Sequence, residues 1–419
     1  MYRYEGDNGS LEQLKFEEGK LHNKISKNFY IFLGGSFITR VGEWMDLVAL
    51  NWAVMQYTSS PLYLGIINVC RLAPIFILSL PAGVLADRFD RSKLLISIQI
   101  GWMGFTFLLA SFIANKVSIL LIAIVVTLRA CLVAIDTPVR NALLPNLVSK
   151  TAMSRAISLH TMSINIARMI GPAVAGWLLN SIDISSIFLL NAWGTLAVLL
   201  SLIIIHPNMP AMKVKTFVTQ EQEQTGLKEA VLYIKEHPHV QSLLILAIAP
   251  MVFGFPYTTL MPLFVKELMQ HGPQRFGFLL TVSSIGAILG LMILSRREME
   301  KCGKWLVSSI IGFGVSLLLF IILIRSFLLA ILAMVITGFT SQLYRTLSRI
   351  TLQKHVPDHL RGRILSIAMM DRGFIPLGAF VLSAFAVQFG AFWTGMMMGA
   401  GCIISTLIVL CKRPFIWKM

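Results

Sequence analysis

Long apolar stretches dominate this chain. Each is about 20 residues long, the length at which a helix crosses the hydrocarbon core of a bilayer, and short polar segments separate them. With 56% hydrophobic and 13% charged residues, the chain is too apolar for a soluble enzyme or a disordered scaffold. Barrel strands would instead alternate over short segments. We therefore predict an all-α membrane protein with twelve transmembrane helices. The predicted spans are 29–57, 61–82, 94–114, 117–138, 155–180, 184–205, 241–265, 276–295, 304–324, 327–346, 365–388 and 391–411.

A polar stretch at 207–239 divides these spans into two sets of six. Apolar residues at helical spacing near its end predict a short amphipathic helix on the membrane surface. The segments that follow the fourth and tenth spans, 144–148 and 356–363, are similar in sequence and half a chain apart. Internal duplication of this kind is typical of transporters built from two pseudo-symmetric six-helix bundles. We predict the following division: N-terminal segment 1–28, first bundle 29–206, linker 207–239, second bundle 240–411 and tail 412–419.

The basic residues of the chain lie mainly on one side of the predicted membrane. The formal net charge is +16, and the basic residues gather in loops on one side of the spans, which predicts that this side and both termini are cytoplasmic. Arg91, Arg140 and Arg361 are among the residues assigned to these loops. Since the positive-inside rule explains the charge, we expect no nucleic-acid partner. The polar N-terminus has no apolar core near its start and does not resemble a secretory signal.

One segment identifies the superfamily. Residues 83–93 read Gly-Val-Leu-Ala-Asp-Arg-Phe-Asp-Arg-Ser-Lys, and this resembles the gating loop of the major facilitator superfamily between the second and third spans. The resemblance implies that Gly83, Asp87, Arg88 and Arg91 hold the inner ends of the two bundles together. We expect Asp87 to lie against a helix N-terminus, and Arg88 or Arg91 to pair with Asp136. The pattern departs at Asp90, where the family usually has glycine; aspartate tolerates a left-handed turn better than most residues.

A second motif lies on the fifth span. Gly171, Pro172 and Gly176 resemble the Gly-Pro motif of twelve-span antiporters, in which small residues allow close helix packing. The phrases LLPNLVSKTAMSRAISL and VPDHLRGRILSI resemble the subfamily of enterobactin exporters and macrolide efflux proteins. This resemblance implies export of a small amphipathic molecule, a siderophore in the first place, across the bacterial inner membrane by proton-coupled alternating access. A multidrug or macrolide pump, a lysophospholipid transporter, and a membrane receptor without transport remain as alternatives.

Ionisable residues within spans are costly and are therefore candidates for function. Arg40, Glu43 and Asp46 share one stripe of the first span. Proton coupling needs a carboxylate that burial can protonate and a nearby cation can ionise again. We take Glu43, Asp46 and Asp371 as the candidates, and expect Glu43→Gln or Asp46→Asn to abolish pH-driven export. Structural pairing of Arg40 with Glu43 is the alternative.

Cations outnumber acids within the predicted spans. If some of them are unpaired, the central cavity favours a carboxylate or catecholate substrate. The predicted cavity cations are Arg40, Arg71, Arg129, Arg168 and Arg372.

The seventh span contains Pro250, Gly254 and Pro256, which predict a broken helix that lines a cavity. Aromatic and polar residues on this and the tenth span are then candidates for substrate contact, with lipid-facing or core packing as the alternative. The candidates are Phe253, Phe255, Tyr257, Gln342 and Tyr344.

The sequence does not suggest other chemistry. The five cysteines form no Cys-x-x-Cys pair, and the histidines are typical of loops. Without a nucleophile–base pair or a nucleotide-binding loop, we expect no enzyme, no cofactor and no metal. The expected partners are the small-molecule substrate, protons and membrane lipid, and we expect a monomer.

Overall fold

The computed structural model describes residues 26–205, 229–296 and 302–418. All secondary structure in these ranges is helical. Serine or aspartate caps begin several helices: the side chains of Ser26, Asp90 and Ser118 each accept a backbone N–H bond from the first turn. The first half of the chain contains α1 (Lys27–Thr58), α2 (Pro61–Arg88), α3 (Arg91–Ala114), α4 (Ile119–Leu143), α5 (Met153–Leu178) and α6 (Ile184–Ile205).

The second half is more irregular. Its helices are α7 (Pro238–Ala249), α8 (Tyr257–Leu263), α9 (Pro273–Ser295), α10 (Cys302–Leu323), α11 (Phe327–Lys354), α12 (Asp358–Met369) and α13 (Phe374–Lys412). Two π-helical turns, Pro250–Gly254 and Phe264–Leu268, flank α8. The first of them interrupts the seventh segment where Pro250, Gly254 and Pro256 predict a break.

Gly390 divides α13 into two helices, because its backbone is non-helical with φ 77° and ψ 173°. The left-handed φ is one that glycine adopts without cost. If α7 and α8 count as one segment, and α12 and the part of α13 before Gly390 as another, the described residues form twelve long helical segments. Each begins and ends within a few residues of a predicted span, except where α11 and α12 continue the tenth and eleventh spans beyond their apolar parts.

Nine helical stretches in the described ranges are long and apolar enough to cross a membrane. One of them, Asp358–Lys412, contains both segments joined at Gly390. α1 and α5 do not belong to this set, since they carry charged and polar residues such as Arg40, Asp46 and Arg168. These two helices pack against each other.

The helices form the two predicted bundles. In the first, α1 packs against α5 and α6, and α2 packs against α4; in the second, α11 packs against α9 and α10. The bundles meet along two seams, α5 with α9 and α2 with α13. We call the end at which α1 begins and α13 ends the terminal face, and the other end the opposite face.

The segment that resembles the gating loop is mainly helical, which corrects one expectation. α2 continues to Arg88 and α3 begins at Arg91, so only Phe89 and Asp90 connect them. Asp90 has a φ of −59° and is therefore not in a left-handed turn. Its carboxylate Oδ1 accepts a bond from the Lys93 backbone N–H at 2.9 Å. The residue that departs from the family pattern is thus the N-cap of α3.

Part of the predicted linker is described, as a helix at 229–236. This helix packs against the second bundle: the Tyr233 hydroxyl donates to the His355 carbonyl at 3.4 Å, and Arg363 Nη1 lies 3.4 Å from Glu229 Oε2. Val231 and Leu232 are exposed on its other side. Residues 206–228 lie outside the described ranges, and the division into domains stays a prediction.

Candidate functional site: a charged interior with an arginine cleft

A buried ion pair joins α1 to α4 inside the first bundle. Arg129 Nη2 donates to Asp46 Oδ1 at 2.8 Å, and the two residues are only 3% and 4% exposed. Asn191 of α6 donates to the same oxygen at 3.3 Å. The Arg129 guanidinium also lies 4.2 Å from the Trp102 ring centroid. Asp46 is therefore held by partners from two other helices.

A second buried group centres on Asp136. Arg140, one turn further along α4, donates from Nε and Nη2 to both carboxylate oxygens at 3.0 and 2.9 Å. Gln99 Nε2 donates to Oδ1 at 2.7 Å, and Arg140 Nη1 donates to Ser36 Oγ at 2.9 Å. A bidentate arginine–carboxylate pair of this kind is strong and directional.

Arg40 connects this group to Glu43. Its Nη1 lies 2.7 Å from Glu43 Oε2, and its Nη2 lies 3.7 Å from Asp136 Oδ2. Glu43 has no other ion-pair partner among the described residues, and 24% of its side chain is exposed. Of the three carboxylates in this interior, Glu43 is held least tightly.

Among the described residues, Asp136 is bound to Arg140, Gln99 and Arg40, and Arg91 donates to the Ala142 carbonyl at 2.9 Å. The expected pairing of Asp136 with Arg88 or Arg91 stays a prediction. Arg140 is 2% exposed, so its assignment to a loop was wrong. Gly83 and the side chains of Asp87 and Arg88 lie outside what the structure describes, and their gating role stays a prediction.

The second bundle contains a cleft between α7, α11 and the α12–α13 junction. It lies in the half of these helices nearer the terminal face. Arg345 and Arg349 line it from α11, and Arg372 lines it from the junction. Asp371 is the acidic residue in the lining. None of these three arginines forms an ion pair with a carboxylate of the described residues.

Arg345 is held in place by an aromatic ring instead of an acid. Its guanidinium carbon lies 3.8 Å from the Phe255 ring centroid, a cation–π contact. Its Nε atom is buried and has no hydrogen-bond partner in the described chain. Arg345 also interacts electrostatically with Arg168 and Arg372, which carry the same charge, and with the carboxylate of Asp371. Arg345 thus presents a cation to the cleft that it lines.

The predicted cavity cations therefore fall into two groups. Arg40 and Arg129 are neutralised by Glu43 and Asp46. Arg71, Arg168 and Arg372 form no ion pair with a described residue; Arg168 lies against the Trp44 ring at 5.6 Å. Arg71 lines a smaller pocket in the first bundle, together with Glu43 and Asp46.

The predicted substrate-wall residues are dispersed. Tyr344 lines the cleft, and its hydroxyl donates to the Ala247 carbonyl at 3.1 Å. Phe255 lies behind Arg345. Tyr257 is buried and bonded to Ser283 Oγ at 2.8 Å. Phe253 packs at the place where a side chain on Gly401 would be. Gln342, on α11, is half-buried, and its Nε2 donates to Thr346 Oγ1 at 3.3 Å.

The Gly-Pro motif of α5 forms part of a seam between the bundles. A Cβ on Gly176 would lie 3.0 Å from the Gly277 Cα of α9, and a Cβ on Gly277 would lie 2.2 Å from the Pro172 carbonyl oxygen. Gly171 packs against Trp44 within the first bundle. Further along the seam, Thr281 Oγ1 donates to the Met169 carbonyl at 3.0 Å. The backbones thus touch directly, and this contact lies in the half towards the opposite face.

Two further contacts close the same half. Gly65 of α2 lies against Ser383 of α13, where a Cβ would meet the serine Cβ at 2.8 Å. Lys266 follows α8, and its Nζ donates to the Met55 carbonyl of α1 at 2.9 Å. This carbonyl is in the last turn of α1, where the helix dipole favours a cation.

Sequence reasoning missed Arg140, Arg345 and Arg349. Asp136 and Arg140 are four residues apart, a spacing at which opposite charges pair on one helix face. Arg345 and Arg349 share this spacing on α11. Both signals lie at or past the end of an apolar stretch, which is where the predicted spans stopped.

Comparisons with known proteins agree with this architecture. Residues 22–416 match the family model described as transmembrane secretion effector. The chain belongs to this family of major facilitator transporters, as the resemblance of its motifs predicted, and it is a multi-pass membrane protein with bacterial relatives.

Two relatives show how the similarity is distributed. The staphyloferrin A transporter of Staphylococcus aureus is 34% identical over 383 residues, which cover 90% of this chain and 94% of that protein. Macrolide efflux protein A of Streptococcus pyogenes is 21% identical over 93% of this chain and 96% of its own length. Among solved structures, a bacterial homologue of the human lysosomal transporter Spinster matches with a TM-score of 0.69 at 15% identity, over 94% of this chain and 97% of that one. This last likeness concerns the fold alone.

Proposed function

We propose that this transporter exports an anionic siderophore across the bacterial cytoplasmic membrane by proton-coupled alternating access. The observation that carries the proposal is the cleft of the second bundle, where Arg345, Arg349 and Arg372 form no ion pair with a carboxylate of the described residues. Guanidinium groups that lack an ion-pair partner bind carboxylates readily, so an anionic ligand is the natural partner of such a cleft. The similarity to the staphyloferrin A transporter over nine-tenths of the chain supports the choice of a siderophore.

The relation of the bundles supports alternating access. The α5–α9 seam, the Gly65–Ser383 contact and the Lys266 bond all lie towards the opposite face, whereas the arginine cleft lies towards the terminal face. With both termini in the cytoplasm, as the basic loops predict, this is a carrier closed to the outside that receives its substrate from within.

The proton site is Glu43 in this proposal. Asp46 and Asp136 are each bound by their own arginine and by a side-chain amide, and protonating either would leave a buried guanidinium without its counter-charge. Arg40, which binds Glu43, retains a neighbour in Asp136 at 3.7 Å. Glu43 is therefore the carboxylate whose protonation the bundle tolerates best. Asp371 is the second candidate, because it lines the substrate cleft.

A macrolide or multidrug pump is the alternative. The match to macrolide efflux protein A over 93% of the chain favours it, but a cleft lined by three arginines and one aspartate does not suit a cationic drug.

A deletion strain separates these functions. We expect the siderophore content of the medium to fall, and to recover when the intact gene is returned but not when it carries Arg345→Gln with Arg349→Gln. Arg275→Gln, at the opposite end of the second bundle, should restore secretion fully. Unchanged secretion with increased macrolide sensitivity would support the alternative and contradict the proposal.

A further inference from the structure

We infer that Arg345, Arg349 and Arg372 form a polycarboxylate site that selects the metal-free form of its ligand. The inference rests on the proposed function and deepens it, since it specifies the chemical groups and the state of the molecule that is exported.

The three guanidinium groups are arranged to bind one ligand together. Arg345 and Arg349 are four residues apart, so they lie on the same face of α11. Arg372 lines the same cleft from the short 3₁₀ helix Met370–Gly373. Arg345 is fixed by the Phe255 ring, whereas Arg349 and Arg372 are exposed. The cleft thus has one rigid cation at its base and two adaptable cations at its rim.

The charge of the lining sets the charge of the ligand. Three arginines against one aspartate leave the lining with an excess of two positive charges. A planar guanidinium binds a carboxylate through two parallel N–H bonds. A ligand with at least two carboxylates would neutralise the excess and occupy more than one of these donor pairs, and a monocarboxylate would not.

Metal loading would remove these acceptors. A trivalent hard cation such as Fe³⁺ binds carboxylate oxygens, and the bound ion becomes the largest charge near them. Carboxylates that coordinate the metal have less negative charge and fewer free lone pairs for arginine. A siderophore that binds iron through carboxylates would therefore be recognised before loading and rejected after it. Export of the empty form alone would spare the iron that the cell has already acquired.

Binding to the purified full-length protein in lipid nanodiscs tests this inference. The probe is citrate, with acetate as the monocarboxylate and citrate saturated with Ga³⁺ as the redox-inert trivalent complex. We expect acetate and gallium citrate to bind at least tenfold more weakly than citrate. Equal affinity for citrate and gallium citrate would overturn the selection of the metal-free form.

Variants test the residues. Arg345→Gln, Arg349→Gln and Arg372→Gln should each weaken citrate binding at least tenfold. Arg345→Lys should also weaken it, since lysine keeps the charge but loses the planar donor pair. The matched control is Arg275→Gln, because Arg275 also lies over an aromatic ring, 4.4 Å from the Phe327 centroid, but outside the cleft. Citrate binding that survives all three cleft variants would overturn the site. Arg349 is exposed, so its variant remains informative if Arg345→Gln fails to fold.

The citrate-binding experiment and the secretion experiment distinguish failure of the inference from failure of the proposed function. If deletion abolishes siderophore secretion and the protein does not bind citrate, the inference is wrong and the proposed function stands. If citrate binds through the three arginines but secretion is normal in the deletion strain, the site stands and the proposed function is wrong.

Discussion

Arg129 and Asp46 form a buried ion pair, with 2.8 Å between Nη2 and Oδ1, that links α4 to α1. Asp46 was one of three predicted proton-coupling residues, and this contact gives it a different character. A carboxylate that neutralises a buried arginine is part of the framework of the bundle. Glu43, one turn earlier on α1, lies on the more accessible side of the same interior and has a weaker set of partners.

Asp46→Asn should therefore lower stability. The substitution leaves Arg129 buried without a counter-charge, and breaking a buried pair in this way costs about 3–5 kcal/mol. We expect a clearly lower melting temperature for the purified protein in detergent. Asp183→Asn, in the exposed turn after α5, is the control and should melt like the wild type. A melting temperature of Asp46→Asn equal to that of the wild type would show that the pair contributes no stability.

Glu43→Gln should act on coupling instead. The amide keeps the size of the side chain and can accept a bond from Arg40, but it cannot exchange a proton. In proteoliposomes with an imposed pH gradient we expect normal folding and loss of pH-driven transport. Glu43→Asp retains a titratable carboxylate and should preserve part of the activity. Full pH-driven transport by the glutamine variant would exclude Glu43 as the proton site.

The α5–α9 seam should tolerate no added side chain at Gly277. In Gly277→Val the new Cβ would lie 2.2 Å from the Pro172 carbonyl oxygen, so the bundles must separate on this side. We expect slow transport and a larger population open at the opposite face. Gly34→Val is the matched control, because nothing lies within 4 Å of a Cβ at that glycine.

A cysteine placed at Ser383 measures this opening. Ser383 is fully buried between α2 and α13, and an external thiol reagent should modify Ser383→Cys faster when Gly277→Val is also present. If the labelling rate is the same with and without the valine, the seam does not control access from this face.

Lys266→Gln should weaken the same closure more mildly. The substitution removes the charge that the last turn of α1 binds through the Met55 carbonyl, a helix-end interaction of about 0.3–1 kcal/mol at exposed sites. We expect a labelling rate at Ser383→Cys raised several-fold, with unchanged melting temperature. Lys116→Gln, in the turn after α3, should leave the rate unchanged, and an equal rise in both variants would contradict a specific role for Lys266.

The helices were predictable because the apolar stretches match the thickness of a bilayer. The ends of the helices were less predictable. α11 continues to Lys354, past the predicted end of the tenth span, and α12 begins at Asp358, before the predicted start of the eleventh. Where a helix leaves the hydrocarbon core, polar residues appear on it, and its mean hydropathy falls to a value typical of a loop. Arg345 and Arg349 lie in this transition.

The pairing of charges depended on the packing of helices. Asp46 and Arg129 are 83 residues apart, and no sequence pattern joins them. The role of Asp90 also depended on the structure around it. The sequence suggested that Asp90 stands in a left-handed turn, but α3 begins at the next residue, so Asp90 is its N-cap.

The buried arginines of the first bundle are paired with carboxylates, whereas the arginines of the second-bundle cleft form no ion pair among the described residues. This difference has a consequence for the carrier without substrate. Narrowing the second-bundle cleft brings Arg345, Arg349 and Arg372 closer together, and their mutual repulsion grows as the water between them is displaced. An anion in the cleft reverses the sign of that interaction. In the proposed mechanism, occupancy would lower the barrier to the conformational change, and a carrier without cargo would be held back by its own electrostatics. The same residues that attract the substrate would thereby limit futile cycling.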